Sequence, residues 1–207
     1  MKILKFQEVS LTKILVYSIL ITVVVSQFQI HNVEEKIKIA TTVDTSKIDK
    51  DTTIAVIIKT LIINEIKRRE GFSENVYSYR GHYYIGYGYQ LDETSTLTIT
   101  EEEGSLLLID EFNRHVKLVE NFYKIEDGRK YILASLSYNI GFSKLINSNL
   151  NKLIVNNEND TIIANYILKF NKVTYNNITK VSTNLQYSRN LEQQLYKLAS
   201  YERIMGL

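Results

Sequence analysis

The chain has 207 residues and a formal net charge of +2, so we expect one domain with an extension and no nucleic-acid partner. Cysteine is absent, which excludes disulfides, thiolate metal sites and cysteine nucleophiles. The hydrophobic share of 44% suffices for a globular core and lies far below that of a multispanning membrane protein.

Residues 1–30 have the features of an export signal or a membrane anchor. Lys2, Lys5 and Lys13 precede an uncharged run over residues 14–30, whose first twelve residues are strongly apolar. That length matches a signal-peptide core and lies at the lower limit for a spanning helix. Cleavage and retention both stay open, and either one predicts that the rest of the chain lies on the extracytoplasmic side of a membrane.

A polar linker and the start of a folded domain follow. Residues 31–51 are charged and lack periodicity, which is typical of a linker, and the domain is predicted over residues 52–207. Apolar residues at three- and four-residue steps predict a helix over residues 54–70, with Ile58, Leu61 and Ile62 buried.

Glu70 is predicted to stand at the C-terminus of that helix. The basic run Lys67, Arg68 and Arg69 and the following Gly71 are typical of a helix end. Next, residues 76–89 are rich in Tyr and Ile and contain a Gly81 turn, which predicts antiparallel strands.

The rest of the chain is predicted to be mainly helical. A capping-box pattern, Thr100-x-x-Glu103, indicates the start of a long helix. The Asn-rich residues 171–184 are predicted as a loop. Further helices are expected at Gly128 to Ile140, Asn149 to Val155, Asp160 to Phe170 and Ser188 to about Ile204. This order predicts an α+β fold with a small sheet beside a helical lobe.

The segment around Glu70 resembles a known catalytic signature. Phage-type lysozymes (glycoside hydrolase family 24) read Glu-Gly, an aromatic residue seven positions after the Glu, then Asp, Gly and Thr-Ile-Gly-Tyr-Gly-His. Here Glu70-Gly71, Tyr77 and Ile85-Gly86-Tyr87-Gly88 match. The resemblance implies a lysozyme-like fold.

Four later segments resemble the same family in the same order, so the likeness spans about residues 54–204. The resemblance implies a monomeric, cofactor-free, endolysin-type muramidase that cleaves peptidoglycan between N-acetylmuramic acid and N-acetylglucosamine and lyses a host cell wall. The segments are Thr100 to Leu107, Leu136 to Gly141, Ser148 to Leu153, and Ser188 to Glu192.

Glu70 matches the general acid of the family, which protonates the leaving oxygen. The alternative is a capping or ion-paired glutamate beside Arg68 and Arg69. The glycine and hairpin at the expected spacing favour the catalytic interpretation. Arg189 is expected to pair with a helix-end acid such as Glu70.

The hairpin departs from the family pattern. Counted forward from Tyr77, the aspartate of the family falls on Tyr79; counted back from Ile85, it falls on Ser78. The threonine of the family falls on Tyr84 and its histidine on Tyr89. We expect these rings to stack on sugars or fill space, and Tyr79 or Tyr84 could also act as a nucleophile. His82 has no nearby histidine in the sequence, so no metal site is expected.

Three outcomes follow from the missing aspartate. A one-acid enzyme could act like a lytic transglycosylase, in which a hydroxyl of the sugar attacks. Asp92 or Glu93 could replace the lost carboxylate, although the strand ending at Tyr89 should carry both away. A catalytically inactive protein could bind glycan on a lysozyme scaffold.

Overall fold

The computed structural model describes residues 50–175 and 177–205. The predicted signal or anchor and most of the predicted linker lie outside these residues. Within the described part of the chain, no helix combines the length and the apolar character needed to cross a bilayer.

Helix α1 (Lys50–Glu70) carries the candidate acid as its last residue. Ile54, Ile58, Ile62 and Ile66 recur every fourth residue and are buried. Leu61 is only half-buried, contrary to expectation, because it lies at the edge of this stripe. The Gly71 amide donates to the Lys67 carbonyl at 3.0 Å, and its φ of +70° is the left-handed conformation that ends helices.

Three antiparallel strands follow in the order β1 (Ser73–Tyr79), β2 (His82–Gly86) and β3 (Tyr89–Leu91), which confirms the predicted fold class. The turn between β1 and β2 has positive φ at Arg80 and Gly81, the two-residue geometry that suits the twist of a hairpin. In this register Tyr77 lies opposite Tyr84.

Helix α2 (Glu101–Tyr123) begins with the predicted capping box. The Thr100 hydroxyl accepts from the Glu103 amide at 3.2 Å, and the Glu103 carboxylate accepts from the Thr100 amide at 2.8 Å. The helix packs closely on the sheet at Gly104, where an added Cβ would lie 3.4 Å from the Gly86 Cα and 2.8 Å from the Phe72 ring. Two glycines therefore bring the sheet and α2 together.

The helical lobe surrounds α3 (Arg129–Ile140), in which residues 132–137 are all buried. Its other helices are α4 (Phe142–Ile146), α5 (Asn149–Val155), α6 (Asp160–Ile167) with a 3₁₀ turn (Leu168–Phe170), and α7 (Thr183–Met205).

Two predictions for the C-terminal part were wrong. Residues 171–184 contain a hairpin, β4 (Lys172–Tyr175) and β5 (Ile178–Val181), because both strands are rich in β-branched residues, which favour extended structure. Helix α7 starts five residues before Ser188, since the Ser182 hydroxyl accepts from the Leu185 amide and caps it.

Candidate functional site

A cleft of about 570 Å³ opens between the sheet and helices α2 and α3. Glu70 lines it from the end of α1, with Tyr87 and Gly88 from the β2–β3 turn. We call the remaining lining residues the sheet wall and the helical wall. The sheet wall consists of Tyr77, Tyr79, Tyr84, Tyr89 and Gln90, and the helical wall consists of Glu111, His115, Tyr138 and Asn139.

Glu70 is held in the cleft by its neighbour Arg69. The Arg69 Nε donates to Glu70 Oε1 at 2.9 Å, and the Glu70 side chain is 31% exposed against 4% for Arg69. Both Nη atoms of Arg69 are buried with no hydrogen-bond partner in the described chain. The ion pair that was the alternative to a catalytic interpretation of Glu70 is therefore present. It holds Glu70 at the cleft, so it does not exclude a catalytic role.

Gly88 lies beside the other oxygen of Glu70. A Cβ at Gly88 would lie 3.9 Å from Glu70 Oε2, and the φ of Gly88 is +83°, a conformation that glycine adopts without strain. The Gly-Tyr-Gly turn thus brings bare backbone next to the carboxyl group.

The sheet wall is aromatic and carries no carboxylate. The rings of Tyr77 and Tyr84 stack across the strands with centroids 5.7 Å apart, while Tyr79 is 56% exposed. Burial raises the pKa of Tyr77, and the charge of Glu70 raises it further. Tyr77 is therefore protonated at neutral pH, and the wall offers ring faces, which suit contact with sugar rings.

Tyr138 joins the helical wall to the β2–β3 turn. Its hydroxyl donates to the Tyr87 carbonyl at 3.4 Å. Burial raises the pKa of Tyr138; the charges of Glu70 and Glu111 raise it further, and Arg69 opposes them. The phenol of Tyr138 therefore stays protonated at neutral pH, and its pKa depends on the charges of both carboxylates of the cleft.

Glu111 is a cleft carboxylate that the sequence analysis missed. Its Oε2 accepts from Arg114 Nε at 2.9 Å, and His115 Nε2 lies 3.3 Å from its Oε1. The hydrogen bond from Arg114 lowers the pKa of Glu111 against the opposing effect of burial, so the group is a carboxylate at neutral pH. Glu111 stands seven residues after Gly104 on the same face of α2, and this spacing could have pointed to the sheet.

His115 is a buried, neutral part of the helical wall. Burial lowers the pKa of His115, and the neighbouring Arg114 lowers it further, while Glu111 opposes both. Its Nδ1 lies 2.6 Å from the Ser137 hydroxyl, and its ring packs edge-on against Tyr138 at 5.6 Å. These contacts fix the ring beside Glu111.

The other candidate residues from the sequence analysis do not line the cleft. Asp92 and Glu93 are exposed after β3 and are not among the residues that line the cleft. His82 is exposed on the turn side of β2. Within residues 50–175 and 177–205, no group of three His, Asp or Glu side chains is placed to hold a metal ion.

The expected pairing of Arg189 with Glu70 is wrong. Arg189 and Glu192 lie one turn apart on the buried face of α7, with Nη1 and Oε2 at 3.0 Å and both side chains fully buried. Arg189 Nη2 also donates to Asn139 Oδ1 at 3.4 Å, and the Ser135 hydroxyl donates to Glu192 Oε1 at 2.6 Å. The buried pair therefore supports the helical wall from behind.

Comparisons with known proteins agree with this geometry. A family model described as phage lysozyme matches residues 67–192. An endolysin from Escherichia coli O157:H7 phage FAHEc1 is 27% identical with a TM-score of 0.56, over 65% of this chain and 89% of that one. A P22 lysozyme mutant is 25% identical with a TM-score of 0.54, over 67% and 96%.

A more distant likeness concerns the fold alone. The muramidase domain of SpmX from Asticaccaulis excentricus is 22% identical with a TM-score of 0.59, over 66% of this chain and 94% of that one. A search of curated protein sequences found no significant match.

Proposed function

The chain belongs to the phage lysozyme family, and on this premise we propose that it cleaves peptidoglycan with Glu70 as the general acid. The bond is the glycosidic link between N-acetylmuramic acid and N-acetylglucosamine. The observation that carries the proposal is the position of Glu70, at the end of α1 in a cleft lined by tyrosines. Glu70 would protonate the leaving oxygen, while Arg69 fixes its Oε1.

The sheet wall would bind the glycan. Tyr79, Tyr84 and Tyr89 line the same cleft as Glu70, and tyrosine combines a large apolar ring with a polar hydroxyl. Stacking of these rings on sugar faces would hold the glycan chain against the acid. The ring of Tyr84 is already stacked on Tyr77, which favours a packing role over a nucleophilic one.

The place of action follows from the substrate. Peptidoglycan lies outside the cytoplasmic membrane, so we propose that residues 1–30 act as a signal peptide or an anchor that delivers a monomeric domain there. The uncharged run over residues 14–30 supports this role. Release of the enzyme onto the wall would lead to lysis of the host cell.

A second candidate is a one-acid lytic transglycosylase, favoured by the absence of any carboxylate between Glu74 and Asp92. In that reaction a hydroxyl of the substrate attacks, so no second carboxylate is needed, and the product carries an anhydro end. A glycan-binding protein without activity would release neither product.

The test is a turbidity assay on purified peptidoglycan with analysis of the released sugars. We expect the wild-type chain to clear the suspension and Glu70→Gln to lower kcat by about 10²–10⁴-fold, the range for general acid catalysis. Glutamine preserves the shape of the side chain, so folding should be unchanged.

The matched control is Glu126→Gln, an exposed glutamate between α2 and α3, which should leave the rate unchanged. Full activity of the Glu70 variant would remove Glu70 as the acid. Binding of the wild-type chain to peptidoglycan without release of sugar would support the inactive alternative.

A further inference from the structure

We propose that Glu111 is the second carboxylate of this site and that it deprotonates the water that attacks the anomeric carbon. The inference rests on the proposed cleavage by Glu70. Among the described residues that line the cleft, Glu70 and Glu111 are the two carboxylates. The group missing from the hairpin would thus be supplied by helix α2.

The placement of Glu111 supports this role. Glu70 enters the cleft from the end of α1 and Glu111 from the helical wall. Tyr138 of α3 lines the same cleft, and the charges of both carboxylates raise the pKa of its phenol. The inverting mechanism requires carboxyl groups about 6.5–9.5 Å apart, so that a water molecule fits between the base and the sugar.

The surroundings of Glu111 keep it ionised and still accessible. Arg114 donates to both of its oxygens, and each carboxylate oxygen can accept a further hydrogen bond. The side chain is 30% exposed. Besides Arg114, the neutral His115 lies beside Glu111, with its Nε2 3.3 Å from Oε1, and Tyr138 and Glu70 line the same cleft.

The proposed step is a single displacement. The water oxygen bonds to the anomeric carbon of the N-acetylmuramic acid, and the bond from that carbon to the glycosidic oxygen breaks. One water proton moves to Glu111, and the proton of Glu70 moves to the leaving oxygen. Exchange with solvent then restores both groups, and the product is an ordinary reducing end with inverted configuration.

The first experiment compares Glu111→Gln with the full-length wild type. We expect kcat for release of reducing ends to fall about 10²–10⁴-fold, with little change in KM or in sedimentation with peptidoglycan. Glutamine keeps an oxygen that can accept from Arg114. The matched control is Glu120→Gln, an ion-paired glutamate on α2 that does not line the cleft, and its activity should stay at the wild-type level.

Chemical rescue separates a catalytic role from a structural one. Azide needs no base to attack, so adding it to Glu111→Gln should restore turnover and give a glycosyl azide of inverted configuration. A variant that had merely lost its fold would not be rescued.

The pH profile gives a second readout. Arg114→Gln removes the hydrogen bond that chiefly lowers the pKa of Glu111, so that pKa should rise towards its ordinary value. Because the base works only when ionised, the acid limb of kcat/KM should move to higher pH.

Three results would overturn the inference. The first is a wild-type chain that releases only anhydro ends, and the second is a Glu111→Gln variant with the wild-type rate. The third is a defective variant that azide does not rescue and an acid limb that stays in place in Arg114→Gln. A wild-type chain that releases no sugar at all would instead refute the proposed cleavage. Release of sugar by the wild-type chain is therefore measured first.

Discussion

The two walls of the cleft differ in chemistry and in what supports them. The sheet wall presents phenol rings held by cross-strand pairs, such as Tyr77 with Tyr84. The helical wall presents Glu111 and His115, and behind it Arg189 and Glu192 form a fully buried ion pair. Aromatic surface and charge thus come from different parts of the fold, and the wall without a carboxylate lies in the same cleft as the wall that carries Glu111.

The largest expected effect concerns the support of the helical wall. Arg189→Met would leave the buried Glu192 without its guanidinium partner. We expect the free energy of unfolding to fall by about 3–5 kcal/mol, measured by urea denaturation.

The control for this change is Arg203→Met, because Arg203 pairs with Asp160 at 2.6 Å but its side chain is 51% exposed. That loss should stay below about 1 kcal/mol. If both variants lost the same free energy of unfolding, the prediction that burial makes the Arg189–Glu192 pair more important for stability would be wrong.

A smaller effect is expected where the walls join. Gly104→Val would place side-chain atoms against the Phe72 ring and the Gly86 backbone, since even a Cβ would lie 2.8 Å from that ring. Overpacking of this kind costs about 1–3 kcal/mol, and separating the walls should also slow cleavage.

Thermal unfolding and the turbidity assay would measure both consequences. Glu102→Val, at an exposed position of the same helix, should change stability by less than about 0.5 kcal/mol. A fully stable and active Gly104→Val would show that the close approach of sheet and helix is not needed.

The smallest effect is expected on the sheet wall. Tyr79→Ala removes an exposed ring that lines the cleft, and the loss of one stacking contact should weaken glycan binding by about 0.5–1.5 kcal/mol. KM should rise several-fold with a smaller change in kcat.

Steady-state kinetics on soluble glycan fragments would separate the two constants. Tyr201→Ala, at a similarly exposed tyrosine of α7 outside this cleft, should leave KM unchanged. A fall in kcat at constant KM for Tyr79→Ala would instead support a nucleophilic tyrosine.

Local patterns predicted most of the elements that carry the site. The isoleucine stripe and Gly71 placed Glu70 at a helix end, and the Gly81 turn predicted the hairpin. The Asn-rich composition of residues 171–184 predicted a loop, so the hairpin β4–β5 and the first turn of α7 were missed. Composition alone does not reveal a side-chain cap such as that from Ser182.

The sequence by itself determined the helix end with its acid, the aromatic hairpin and the absence of a hairpin carboxylate, since each depends on residues close together in the chain. Tertiary structure alone decided the partners of those groups. Glu111 lies 41 positions after Glu70 yet lines the same cleft, and Arg189 pairs within α7 rather than with Glu70. These choices depend on which helix faces meet, and that is settled by packing of the whole core rather than by local spacing.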